Sequence, residues 1–165
     1  MTVSGYTPRM SQEITSEHVE ALSSRDTSDY WWYAVRQHLV DRVLAAERAG
    51  GMAYLDLGCG AGGVMRSVVE RFAPAQAIGV DGTQEAVDIA ASRGLDARYA
   101  DLRKPLELPF APDTVTCLDV LEHLEDPVLA LKHLREASAD NVLLVVSVPA
   151  MPSLHSAWDD LCGHY

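Results

Sequence analysis

Four aspartates and one glycine cluster carry most of the chemical information in this chain. Asp56 lies in the run Tyr54-Leu55-Asp56-Leu57-Gly58-Cys59-Gly60-Ala61-Gly62-Gly63, two residues before the first glycine of the cluster. Asp81, Asp101 and Asp119 each stand at or just past the end of a later short apolar stretch. In an open α/β sheet, strand ends converge on one crevice. Carboxylates gathered there accept hydrogen bonds from hydroxyls and attract cations. They would repel a pyrophosphate and suit a ligand with ribose hydroxyls, an ammonium and a sulfonium.

The glycines permit a sharp turn, partly at positive φ, and close approach of a ligand to the backbone. They do not choose the ligand alone. Gly58, Gly60 and Gly63 satisfy a dinucleotide fingerprint, and Gly58, Gly60 and Gly62 satisfy an S-adenosylmethionine (SAM) loop equally well. The acids favour SAM over NAD. The loop and the following helix N-terminus should present N–H groups to the methionine carboxylate. Asp56 then takes the ammonium, directly or through water, or else organises the loop by a hydrogen bond. Asp81 falls 23 positions after Gly58, the spacing at which an acid reaches ribose hydroxyls. Its competing role is to cap the next helix, a task for which Thr83 is better placed in sequence.

Cys59 could be a nucleophile, but no basic partner lies near it in sequence, which favours a small residue used for its backbone. The three cysteines Cys59, Cys117 and Cys162 share no C-x-x-C spacing and fit reduced thiols in a cytoplasmic protein. Net charge is −11, from 13 basic and 24 acidic residues, which argues against a large polyanion as substrate. Arg93, Arg98, Arg103 and Lys104 form the only candidate basic run and read as solvated surface. The polar, acidic N-terminus is no signal peptide. The longest apolar run, Val142 to Val148, is far too short to span a bilayer.

These residues must be positioned by alternating strands and helices. Residues 1–28 are rich in Ser, Thr and Glu and read as a mobile arm; residues 29–165 read as one domain. Val35, Leu39, Val43 and Leu44 recur at helical spacing in a helix from Tyr30 to about Ala49. Strands follow at about 52–57, 76–80, 96–100, 113–118 and 141–147, with helices at about 63–72, 84–93 and 126–137. This predicts an α/β fold, a Rossmann-like doubly wound parallel sheet of order 3-2-1-4-5 with its switch point between strands 1 and 4.

Four segments together resemble a family. They are Leu55-Asp56-Leu57-Gly58-Cys59-Gly60-Ala61-Gly62, Ile78-Gly79-Val80-Asp81-Gly82, Tyr99-Ala100-Asp101-Leu102 and Cys117-Leu118-Asp119-Val120-Leu121-Glu122-His123-Leu124. In this order and spacing, residues from about 30 to 165 resemble class I SAM-dependent methyltransferases, within a subgroup that includes ubiquinone-biosynthesis-type O-methyltransferases. The resemblance implies SAM as cofactor, S-adenosylhomocysteine as product, and transfer to a small-molecule acceptor, on oxygen before nitrogen or carbon. It implies an adenine contact from Asp101 and the Leu102 N–H, with Gly82 and Thr83 lining the adenine wall. It implies SAM contacts from Asp119 and Val120, and an arginine at Arg36 that reaches the SAM carboxylate. Trp32 either docks its helix or faces the sulfonium.

Asp119, Glu122 and His123 also resemble a pattern that some members use to hold Mg²⁺. The alternative, preferred here, is no metal, with Glu122 and His123 serving the loop or the acceptor and His123 as a possible base. The alternatives to small-molecule methylation are an RNA or protein methyltransferase and a non-catalytic SAM-binding module. Related enzymes continue with sixth and seventh strands, so the expectation is a methyltransferase chain truncated at its C-terminus, with its SAM half essentially complete and its activity in this form an open question. Its exposed strand-5 edge would then offer a route to oligomers.

Overall fold

The computed structural model describes residues 31–47 and 51–148, the side chains of Trp31 and Trp32 excepted. The expected arm at 1–28 and the end of the chain lie outside these residues. The elements are α1 (Trp31–Glu47), β1 (Ala53–Leu57), α2 (Gly63–Phe72), β2 (Gln76–Asp81), α3 (Gln84–Ser92), β3 (Ala97–Tyr99), β4 (Thr114–Leu118), a 3₁₀ turn (Leu121–His123), α4 (Pro127–Ala137) and β5 (Leu143–Ser147). The five strands form one sheet in the order β3-β2-β1-β4-β5, and every pairing is parallel. All five C-terminal ends therefore reach the same edge of the sheet.

The sheet is covered on two sides, which is why its central strands read as apolar runs rather than as alternating ones. On one side Tyr54, Met65, Val68 and Leu118 form a cluster with Val40 and Leu44 from α1. On the other, Leu55, Leu57, Ile78, Val80, Val115 and Cys117 pack with Leu134 of α4. Local chemistry sets the helix boundaries. The Asp126 carboxylate accepts from the Leu129 amide at 2.9 Å and Pro127 opens α4. Gly94, at φ 81°, ends the turn after α3.

One expected face is corrected. Of the four apolar positions at helical spacing in α1, only Leu44 is buried; Val35, Leu39 and Val43 are exposed. The helix turns Val40, Asp41 and Leu44 inward instead. Asp41 accepts from Gln37 Nε2 at 2.9 Å and pairs with Arg71 of α2. An ion pair between α1 and α2 thus fixes the rotation that apolar spacing left open. Among the described residues β5 is an outer strand, and no helix is long and apolar enough to cross a membrane.

Candidate functional site

The glycine loop is held by the strand it leaves and the strand beside it. The Gly58 and Cys59 amides both donate to the Val80 carbonyl, at 2.8 and 3.0 Å. Gly58, Gly60 and Gly62 all have positive φ. At Gly58 a Cβ would also lie 2.2 Å from Val120 Cγ2, so this position touches the segment after β4 and tolerates no side chain. Gly60 has open space where a side chain would be. The N-cap of α2 is Gly62, which has no side chain to cap the amides of the first turn. A helix N-terminus left this way suits an anion. Arg93 Nη1 braces the loop from outside by donating to the Ala61 carbonyl at 2.7 Å. That interaction corrects the expectation that Arg93 is simply solvated.

Cys59 is buried against β2, where a Cβ at Gly79 would lie 2.8 Å from its Sγ. Burial, with the charges of Asp56 and Asp81, pushes its thiol far above the ordinary range. Burial likewise pushes Cys117 up to about 12. Neither thiol has the electropositive setting of a nucleophile.

Asp56 sits inside the sheet edge rather than on it. Its Oδ1 accepts from Thr116 Oγ1 at 2.7 Å, and Thr116 Oγ1 is 2.6 Å from the Tyr54 hydroxyl. Its Oδ2 is buried and makes no hydrogen bond. Burial pushes Asp56 up to about 6; the Thr116 hydroxyl and the Arg36 charge oppose that shift, and the Met65 amide in the first turn of α2 eases it without a full bond. An orphaned carboxylate oxygen under an uncapped helix start fits a ligand bearing an ammonium beside a carboxylate.

Asp81 uses both oxygens. Oδ2 accepts from the Gly60 amide at 2.8 Å, and Oδ1 from the Thr83 amide at 2.9 Å. The second bond organises the entry to α3. Thr83, expected to do so, makes no capping bond with its side chain. Each carboxylate oxygen retains a further lone pair, so bracing the loop leaves Asp81 able to accept from ligand hydroxyls. Gly82 follows it, exposed.

Asp101 is engaged by its own turn. Oδ1 accepts from the Arg103 amide and Nε, and Oδ2 from Nη2, at 2.8–3.1 Å. Those bonds hold its carboxyl down at about 2. Lys104 lies 4.0 Å away and Arg98 pairs with Asp96, so the basic run is matched by neighbouring acids. Leu102 packs on the apolar cluster beside α4, and its carbonyl lies 3.2 Å from His133 Nδ1.

Past β4 the arrangement changes. Asp119 is one of two described non-glycine residues at positive φ (56°). Its amide donates to the Ser147 carbonyl at 2.9 Å, while its Oδ1 accepts from Ser147 Oγ at 2.7 Å. Its Oδ2 pairs with Arg36, whose guanidinium also stacks 4.6 Å from the Tyr33 ring centroid. Arg36 is therefore engaged by a protein carboxylate here. Trp32 lies in the first turn of α1, and its side chain is outside the described residues. Val120 packs against Gly58. In the 3₁₀ turn, Glu122 Oε2 is buried without a hydrogen bond, whereas His123 is exposed. Asp119, Glu122 and His123 do not converge: among the described residues no group of three His, Cys, Asp or Glu side chains could hold a metal ion.

Thr116, Tyr54 and Ser147 were missed in the sequence. The available signal was Thr114 and Thr116 alternating inside a strand that is buried throughout. Hydroxyls in such a strand need partners.

Comparison with known proteins accords with this geometry. A family model described as a methyltransferase domain matches residues 29–164. The chain is 29% identical over 159 residues to an uncharacterized 37.1 kDa protein in transposon TN4556 of Streptomyces fradiae, covering 93% of this chain and 45% of that protein. It is 24% identical over 140 residues to a ubiquinone biosynthesis O-methyltransferase of Albidiferax ferrireducens, covering 74% and 55%. The chain thus spans about half the length of these curated relatives. Among solved structures, the sugar N-methyltransferase KedS8 from Streptoalloteichus superposes with a TM-score of 0.66 at 20% identity, over 94% of this chain and 63% of that one. That likeness concerns the fold. With the family model spanning all five strands and the glycine loop, the chain belongs to the class I SAM-dependent methyltransferases.

Proposed function

We propose that this protein binds SAM at the strand ends around the glycine loop and methylates a small-molecule acceptor, on oxygen. The observation that carries the reading is the buried, unpaired Oδ2 of Asp56 beneath the uncapped start of α2. The ubiquinone-biosynthesis O-methyltransferase among its relatives supports oxygen as the acceptor atom. The net charge of −11 supports a small molecule over a polyanion.

SAM, when bound, supplies a methyl group on a sulfonium. The chain then has to hold and align. The first turn of α2 receives the ligand carboxylate, and Asp56 faces its ammonium. Asp81 accepts from the ribose hydroxyls, while Asp101, the Leu102 amide and Gly82 border the adenine. Asp119 and Val120 form the floor toward the acceptor, with Arg36 of α1 paired to Asp119. Orienting acceptor and methyl while excluding water is worth up to ~7–11 kcal/mol of the barrier. Glu122 and His123 lie just past β4, where the acceptor would approach, and His123 is the candidate base for an acceptor that must lose a proton.

Calorimetric titration with SAM, S-adenosylhomocysteine and NAD tests the cofactor half. The two SAM-type ligands should bind and NAD should not; NAD binding ahead of S-adenosylhomocysteine overturns the reading. Transfer of labelled methyl from SAM to phenolic, amine and RNA acceptors tests the other half, with phenolic products expected. Label appearing on RNA alone would sink the small-molecule assignment.

A further inference from the structure

A hydrogen-bond chain inside the sheet has no evident part in the fold, because apolar residues would fill its place on the strands at less cost. It runs from the Tyr54 hydroxyl through Thr116 Oγ1 to Asp56 Oδ1, with separations of 2.6 and 2.7 Å. Tyr54 and Asp56 lie two residues apart on β1, so they share a face, and Thr116 of β4 pairs with Asp56 across the ladder. All three residues are buried.

The polarity of the chain is fixed. An ionised carboxylate only accepts, so Thr116 donates to Asp56 and Tyr54 donates to Thr116. Tyr54 is held protonated by its burial and by the Asp56 charge. The result is a carboxylate with one oxygen saturated from within the protein and the other left unpaired.

We propose that Thr116, backed by Tyr54, is a positioning residue for cofactor binding: it locks Asp56 by Oδ1 and so commits Oδ2 to the ammonium of the ligand. This rests on the reading of Asp56 as the ammonium partner. Neither hydroxyl touches the ligand. Their effect is confined to whatever Asp56 holds.

That confinement supplies the test. S-Adenosylhomocysteine carries the amino-acid ammonium, and 5′-methylthioadenosine has the same nucleoside without it. Titrating both into the parent and into Thr116→Val should show S-adenosylhomocysteine binding weakened ~10-fold, the scale of one hydrogen bond to a charged group. Methylthioadenosine affinity should be unchanged, and Thr116→Ser should restore the parent value.

A second readout is pH. The groups bearing on Asp56 are Arg36 of α1, Asp81 at the end of β2, Tyr54, Cys59 in the loop and Cys117 of β4. Removing the Thr116 hydroxyl takes away a bond that favours the charged carboxylate. The acid-side loss of S-adenosylhomocysteine affinity should therefore begin at a higher pH in Thr116→Val. Equal loss of both ligands would make the role structural and overturn the proposal, as would no loss of either. If Thr116→Val fails to fold, Tyr54→Phe replaces it: a smaller loss confined to S-adenosylhomocysteine sustains the proposal, and none refutes it. A parent that binds methylthioadenosine but not S-adenosylhomocysteine refutes the Asp56 reading and this inference with it. A parent that binds neither refutes the SAM assignment.

Discussion

The two flanks of the crevice are built in different ways. On the β1–β2 flank, acids are secured by the sheet and the loops that leave it: Asp81 by the amides of Gly60 and Thr83, Asp56 by Thr116 on the paired strand. On the β4 flank, Asp119 is held at positive φ by Ser147 of β5 and by Arg36, 83 positions away on α1. The first flank is part of the sheet. The second depends on how a separate helix is docked, and α1 is docked through the Asp41–Arg71 pair and an apolar contact made by Val40 and Leu44. A cofactor common to a family suits the first kind of construction. On the proposed reading, the acceptor is served by the second.

The flanks meet at Gly58 and Val120, and breaking that contact should have the largest effect. Gly58→Ala forces an L residue to φ 76° and drives its Cβ to 2.2 Å from Val120 Cγ2. The left-handed backbone and the overpacking together cost about 2–5 kcal/mol. Denaturant unfolding should show that loss. Adding Val120→Ala should recover the overpacking part and leave the backbone part. A single variant as stable as the parent would mean that the two flanks are not in tight contact.

Next in size is an effect of pH on the β1 flank alone. Asp56 titrates at 3.8 when unfolded and at about 6 when folded. Between those values the folded state binds the extra proton, so stability is highest below about pH 4 and is lost as pH rises through about 6. The difference corresponds to up to roughly 3 kcal/mol. Asp101, held down at about 2, acts in the opposite sense and only below its ordinary value of 3.8, outside this window. The ligand-free protein should therefore melt higher at pH 5 than at pH 7, and Asp56→Asn should flatten that dependence. A melting temperature that climbs steadily from pH 5 to 7 in the parent contradicts the buried, destabilised carboxylate.

Asp81→Ala comes third. It removes bonds to the Gly60 and Thr83 amides and, on the proposed reading, to the ribose. Bonds to a charged acceptor are worth ~1.5–3 kcal/mol, about ten- to a hundredfold in affinity for S-adenosylhomocysteine. Asp81→Asn keeps an oxygen for one amide but not both, and should fall between. Binding equal to the parent in Asp81→Ala would reduce Asp81 to a loop brace.

The same contrast explains what could be read without a structure. Strand order, the helices and the glycine loop follow from short-range periodicity and from glycine and proline punctuation. The four acids were visible because strand ends are visible. What escaped depends on pairing at a distance. Thr116 meets Asp56 only through the β1–β4 register, and Ser147 meets Asp119 only because β5 lies next to β4. The α1 face escaped for a further reason. Apolar residues surround much of that helix, so spacing admits two faces, and the choice is made by Asp41 finding Arg71. At Asp81, sequence placed Thr83 at the helix cap, and Thr83 does stand there, without a side-chain bond; what escaped is that the Asp81 carboxylate takes the Thr83 amide and the loop amide together.

The smallest expected effect belongs to the β4 flank. Asp119→Asn keeps a residue tolerated at positive φ and still able to accept from Ser147 Oγ. It removes only the charge facing Arg36. The two side chains are 30% and 13% exposed, so the pair is neither fully solvated nor fully buried. A cost near ~1 kcal/mol is expected, at the upper end of the range for solvated pairs, and added salt should shrink it. Affinity for S-adenosylhomocysteine should change less than in Asp81→Ala, because the hydrogen bonds to Asp56 and Asp81 come from the sheet and its loops, and Arg36 reaches Asp56 only through its charge. If Asp119→Asn weakens that ligand as much as Asp81→Ala does, the flanks are not independent. Cofactor binding would then require α1 to be docked, and the division between a cofactor side and an acceptor side would have to be given up.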